Sequence, residues 1–137
     1  MQTLYAIWWG VILIRIIPHV RPLQRIVAFI VGISEYPDSP LDNAVKDAEF
    51  LIKILRKKGV IVIFVTNCSA EEFKEKQKEF LKLLTKDDLA FFFFAGHACV
   101  FDNSPRLLTI PKQGRKLDVK RDSVNVYLLL SRWAKSR

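Results

Sequence analysis

The sequence predicts an α/β fold: a three-layer sandwich with a mainly parallel sheet between helical layers. Three observations carry that expectation. Short apolar runs alternate with segments of helical spacing in the order strand, helix, strand, helix, strand, which is the pattern of βαβ units. The run Leu89-Ala-Phe-Phe-Phe-Phe-Ala95 is unbroken and bounded by polar residues, as in a parallel strand covered on both faces. Helix start and stop signals fall between the runs and not inside them.

The elements follow in order. Leu4 to Ile14 is apolar, then Arg15 interrupts and Pro18 follows. That run is shorter than the roughly 20 apolar residues a membrane-crossing helix needs. It also lacks the basic start and small-residue cleavage site of a secretory leader. Three readings stay open for residues 1–24: a weak membrane anchor, a helix packed on the domain or on a partner, or a leader unrelated to the fold. They are taken as a non-catalytic apolar and basic extension, with the domain proper running over 25–137.

Ile26 to Ile33 reads as a buried strand opening into Ser34–Pro40, a loop of turn formers. A helix is expected from about Asn43, with Asp42 as N-cap and Ala44, Val45, Ala48, Leu51, Ile52 and Leu55 on one face. Arg56, Lys57 and Lys58 suit its C-terminus and Gly59 its C′ position. Val60 to Val65 is the second strand. Ser69-Ala-Glu-Glu72 is a capping box, opening a helix with Phe73, Gln77, Phe80, Leu81 and Leu84 on its mostly apolar side. The phenylalanine strand then ends at Gly96-His97. A short strand is expected over Arg106–Ile110, and a last helix from Asp122 or Ser123 with Val126, Leu129, Leu130 and Trp133 on one side.

Composition narrows the function classes. At 137 residues, half of them hydrophobic, the chain can bury one core and is not disordered. The net charge of +8 divides into +3 for residues 1–25, −1 for 26–101 and +6 for 102–137, so the core region is nearly neutral. Lys112, Arg115, Lys116, Lys120 and Arg121 lie in a polar loop without interleaved aromatics, which reads as a solvated loop and not a nucleic-acid surface. No G-x-G-x-x-G or G-x-x-x-x-G-K-[ST] occurs, so phosphate cradling and a nucleotide cofactor are not expected. Two cysteines, Cys68 and Cys99, make no disulfide framework and no zinc spacing. His97 with Cys99 is at most a pair of metal ligands without further partners, and no metal is expected. The setting expected is reducing and cytoplasmic.

His97 draws attention by position. Chemistry in open α/β sheets gathers beyond the carboxyl ends of the strands, and histidine is the commonest acid–base residue. An ordinary loop histidine is the alternative.

Three segments together resemble a known family. Ile26-Val-Ala-Phe-Ile-Val-Gly-Ile-Ser-Glu-Tyr36, Leu41-Asp-Asn-Ala-Val-Lys-Asp-Ala-Glu-Phe-Leu51 and Asp88-Leu-Ala-Phe-Phe-Phe-Phe-Ala-Gly-His97 look like the caspase-type cysteine peptidases, nearer the metacaspase and paracaspase branches. The resemblance covers about residues 25 to 133. It implies a caspase-like fold in which His97 matches the catalytic histidine. It implies an oxyanion donor in the backbone N–H after it, at Ala98, where the family usually has glycine. Asp47 matches an acidic position that holds a basic P1 side chain of a peptide or protein substrate; the alternative is a plain polar residue on the first helix turns. No arginine lies between Ile26 and Leu55, so an acidic P1 preference is not expected.

The resemblance also implies what is missing. The family's nucleophilic cysteine ends the next strand, in an Asp-x-Cys-like context, and the sequence stops at Arg137 before such a strand. The sheet is therefore expected to be incomplete at its C-terminal side and this chain inactive by itself. Cys99 would share a side with His97 in extended backbone but brings no oriented oxyanion site. Phe91 to Phe94 would lie at an open sheet edge, to be covered by a protein partner, the N-terminal segment or a different local fold. The expectations are a caspase-like endopeptidase domain lacking its thiol, or a catalytically dead relative serving as a protein-binding module. A receiver-like signalling domain fits less well, since only Glu35 supplies an acid after the first strand and Gly96-His97 replaces an acceptor aspartate. A membrane-tethered scaffold using residues 4–17 is the remaining rival.

Overall fold

The computed structural model describes residues 24–136, together with the backbone of Ile14–Ile16. Among the described residues ten elements are seen: β1 (Ile14–Ile16), β2 (Ile26–Gly32), α1 (Ala44–Lys57), β3 (Ile61–Thr66), α2 (Ala70–Leu83), β4 (Leu89–Ala95), β5 (Ala98–Phe101), β6 (Ser104–Leu108), β7 (Ser123–Asn125) and α3 (Val126–Lys135). The main sheet has the order β1-β4-β2-β3, and a small sheet has the order β5-β6-β7. Strands β4, β2 and β3 run parallel, while β1 lies antiparallel against β4. The α/β, mainly parallel expectation holds.

The two faces of the sheet carry separate cores. Ala28, Ile30 and Phe93 point to the α1 side and pack on Ala48 and Ile52. Val27, Phe29, Val31, Phe92 and Phe94 point to the other side, against Phe73 and Phe80 of α2 and Leu129 and Trp133 of α3. This is period-2 alternation in strands that are apolar on both faces. Phe29 meets the rings of Phe73, Phe80 and Phe92 at 5.3 to 5.6 Å, and Trp133 meets Phe80 and Phe92 at 5.3 and 5.1 Å. Helices on both faces make the three layers. Gly32 allows α1 to sit close to β2: a Cβ there would lie 2.7 Å from Ala48 Cβ and 3.0 Å from Ala44 O.

Local signals acted largely as expected. The Ser69–Glu72 capping box forms, and Gly59 takes the left-handed conformation (φ 78°) just past α1. Several expectations need correction. The N-cap of α1 is Asn43 and not Asp42, and it makes no side-chain cap bond. The last helix starts at Val126, capped by Asn125, because 123–125 extends as β7 to pair with β6. Asp122 instead accepts from the Asp118 N–H and the Arg121 guanidinium. The short strand expected over Arg106–Ile110 lies two residues earlier. It pairs with β5 across a two-residue turn in which Asp102 and Asn103 have φ of 52° and 57°, a combination that favours Asn and Asp in tight hairpins. The phenylalanine strand is covered in part: Ile14, Arg15 and Ile16 pair with Phe92, Phe91 and Ala90, and no strand pairs with the outer side of Phe93 and Phe94 among the described residues. The helical reading of the extension therefore fails at these three residues, and the rest of the extension up to residue 23 lies outside the described residues. Among the described residues no helix is long and apolar enough to cross a membrane.

Candidate active site

The site is assembled at the carboxyl end of the parallel strands. Gly32 at the end of β2 pairs with Ala95 at the end of β4, and the Ile33 N–H donates to Ala95 O at 2.8 Å. The chain then parts in two directions, into the 34–41 loop from β2 and into Gly96-His97 from β4. Asn67, just past β3, holds the loop: its Oδ1 accepts from the backbone N–H of Ser34 (2.9 Å) and Glu35 (3.1 Å). Ser34 closes the loop, its carbonyl accepting from Leu41 N–H and its Oγ from Val45 N–H at the start of α1.

His97 is half-buried and held from three sides. Its Nε2 lies 2.7 Å from Ser39 O. A carbonyl oxygen can only accept, so Nε2 carries the hydrogen, and among the described residues no hydrogen bond to Nδ1 is seen. The ring packs on Tyr36 with centroids 4.5 Å apart. The backbone N–H of His97 donates to Tyr36 Oη at 3.0 Å, and that hydroxyl donates to Leu108 O at 2.8 Å. The return bond, Leu108 N–H to His97 O, is direct at 2.9 Å. The Tyr36 hydroxyl is thus inserted into the rung just before β5 begins and where β6 ends. Burial raises its pKa well above the ordinary tyrosine value, and the His97 N–H bond opposes that, so the group stays a neutral donor and acceptor. Gly96 is required by this packing, since a Cβ there would lie 2.5 Å from Tyr36 Oη and 2.8 Å from the Phe94 ring.

Ala98 opens β5, the outer strand of the small sheet. Because the 97/108 pair bonds toward β6, antiparallel alternation turns the Ala98 N–H to the opposite, outer side of β5. Asp47 stands half-buried on the first turn of α1. It adjoins Ala48, which lies over Gly32, so the acid is at the same end of the sheet as His97. Among the described residues no hydrogen bond or ion pair joins the two.

The thiols are placed differently. Cys99 is buried in the core opposite Arg106 of β6, and burial raises its pKa against the opposing pull of that arginine. Cys68 is buried behind the loop, its carbonyl accepting from Ile110 N–H. Desolvation first, and then Glu72, push its thiol up to about 12. Neither is hydrogen-bonded to His97 among the described residues, and neither favours the thiolate. No group of three or more potential metal ligands occurs among the described residues.

The sequence singled out His97, Ala98 and Asp47, and the structure sets the first two just past β4 and the third on the first turn of α1. It did not single out Tyr36 and Ser39 as positioning groups. A tyrosine in a turn-rich loop gives no periodic signal, and a backbone carbonyl gives none at all. The only trace was Tyr36 lying within the first resembling segment.

No curated protein matches the chain. The caspase domain family of C14 peptidases matches residues 25–128, which takes in the whole parallel sheet, the histidine and the loop that holds it. That match spans well over half of the 137 residues, and the chain belongs to this family.

Proposed function

We propose that this chain presents the histidine half of a cysteine endopeptidase site. His97 takes up the thiol proton of a nucleophile and returns it to the leaving amine. The Ala98 N–H stabilises the oxyanion that develops on the scissile carbonyl. Asp47 pairs with a basic P1 side chain, where a guanidinium and a carboxylate make a charge-assisted contact. The observation that carries this reading is the His97 ring: half-open at the end of β4, with Nε2–H tied to Ser39 O and Nδ1 without a hydrogen-bond partner among the described residues. That is the arrangement a proton-transfer group needs, with one nitrogen held and the other open.

The sulfur has to come from elsewhere. Cys68 and Cys99 are buried with raised pKa values, so they stay protonated at neutral pH. The same observation favours the second reading, a catalytically dead relative that acts by binding a protein.

The test uses fluorogenic peptides with Arg, Lys or Asp at P1, with and without alkylation of the chain's thiols. The expected result is no thiol-dependent turnover by these residues alone. Turnover that alkylation and His97→Ala both abolish would show that a thiol of this chain serves as nucleophile. Transcript sequence past codon 137 separates the two readings. An in-frame Asp-x-Cys segment supports the peptidase, and a stop codon supports the binding module.

A further inference from the structure

The rim of the sheet formed by β3 is unusual for an edge. Among the described residues β3 pairs only with β2, yet its sequence, Ile61-Val-Ile-Phe-Val-Thr66, is six β-formers without a charge, a proline or a bulge. Proteins normally blunt such a rim with lysine, proline or a cover, because its free N–H and C=O groups template further strand pairing. The phase of the pairing is set by the Asn67 N–H to Gly32 O bond at 2.9 Å. By the alternation of a parallel ladder, the residues bonded to β2 are Ile61, Ile63 and Val65. Val62, Phe64 and Thr66 therefore turn their N–H and C=O groups to the open side.

Beside this rim runs an open groove of about 470 Å³ between α1 and β3. Its floor is apolar, with Phe64 at 41% exposure and Phe50 at 67%. Its walls carry Lys46, Lys53 and Arg56 against the single carboxylate of Glu49. The Arg56 guanidinium lies over the Phe64 ring at 5.3 Å, which fixes a cation at the edge of the apolar floor.

We propose that β3 and this groove form a docking site for an extended acidic segment of a protein partner, bound by strand addition. The segment pairs its backbone with Val62, Phe64 and Thr66. It sets one large apolar side chain against Phe50 and Phe64, and on the same face, two residues to either side, carboxylates that meet Lys46, Lys53 and Arg56. Charge selects this occupant. A second copy of the chain would bring its own cationic groove and a net charge of +8. The chain's residues 1–25 hold three arginines and no acid. Each is repelled where an acidic strand is attracted. The site is independent of His97, on the far rim from β1, and stands whether or not the endopeptidase reading does.

The test is fluorescence anisotropy of the full chain with a labelled octapeptide in which Glu alternates with β-branched residues around a central Phe. Three controls accompany it: the same peptide with Lys for Glu, the same peptide N-methylated on alternate residues, and the Lys53→Glu/Arg56→Glu chain. Both substituted side chains are exposed, so the fold is retained. Expected are saturable binding of the acidic peptide that weakens with added salt, and a loss of about tenfold or more in the double variant. The Lys and N-methylated peptides should fail to bind. Equal binding of the Lys peptide, or an unchanged affinity of the double variant, overturns the charge selection. Equal binding of the N-methylated peptide overturns strand addition. Self-association of the chain in sedimentation, abolished by Phe64→Lys, would assign the rim to a second copy and overturn the proposal.

Discussion

The hydroxyl of Tyr36 stands where two strands would otherwise exchange a direct bond, between the His97 N–H and Leu108 O. Tyr36→Phe removes it and leaves two outcomes for the rung. Either both groups remain buried without partners, at a cost of about 1–3 kcal/mol, or β5 and β6 close up and draw His97 away from Ser39 O. Both loosen the imidazole. The expected result is a lower urea midpoint, faster exchange of the His97 amide and a mixture of ring tautomers in the nitrogen-15 spectrum. A ring that stays wholly Nε2-protonated in Tyr36→Phe would remove Tyr36 as a positioning residue. This contact also marks the limit of what residues show on their own. Tyr36 and Leu108 are 72 positions apart. Their meeting depends on a hairpin whose first strand, Ala98–Phe101, is too short and mixed to signal itself.

At the scale of elements, the parallel strands are stapled at the end opposite the site. Arg25, at the entry to β2, donates from Nε and Nη2 to the two oxygens of Asp88 at 2.8 and 2.5 Å, and Asp88 also accepts from Thr85 N–H at 2.8 Å. The carboxylate is 4% exposed, and the Arg25 bonds hold its pKa below the usual range against the opposing effect of burial. At Asp122 burial opposes ionisation first, but the Arg121 bond and the Asp118 N–H outweigh it, so its pKa is lowered too. A carboxylate depressed in the folded state contributes stability that is complete above its unfolded pKa. That contribution is lost as pH falls through the folded value. Stability should therefore be level above about pH 5 and decline below about pH 4, where unfolded carboxylates begin to protonate. Asp88→Asn should flatten part of that decline, and Asp88→Asn/Asp122→Asn more of it, in urea titrations from pH 7 to pH 3. An acid limb as steep in the double variant as in the parent would place the linkage elsewhere. Elements with strong local signals, such as the Ser69 capping box and the Phe91–Phe94 strand, were legible from the sequence. Those that exist only through pairing were not. Ser123–Asn125 carries a helix-start signal at Asn125, and only the proximity of β6 turns its first residues into a strand.

For the whole molecule the decisive feature is how the sheet ends. Its interior strands are apolar on both faces, so each rim carries a hazard of intermolecular pairing. At the β4 rim the chain supplies its own cover, since Ile14–Ile16 pairs antiparallel with Ala90–Phe92. Antiparallel pairing of a passing segment needs only a matched register and no crossover, so three residues of the extension suffice. The sequence named this segment as one of three covers for the phenylalanine strand, but apolar composition alone could not choose among them. Removal of residues 1–23 should bare the backbone of Ala90–Phe92, which runs into the four consecutive phenylalanines 91–94, a segment without charge or proline. The shortened chain is expected to self-associate in sedimentation and to scatter light on concentration, while the full chain at the same concentration does so less. A synthetic peptide spanning residues 10–20, added in trans, should reduce that association, because it restores the pairing without restoring the connection. A shortened chain that stays as monodisperse as the parent, with an unchanged melting temperature, would mean that β1 does not guard this rim. The exposure of Phe91–Phe94 would then have to be relieved within residues 24–136 themselves.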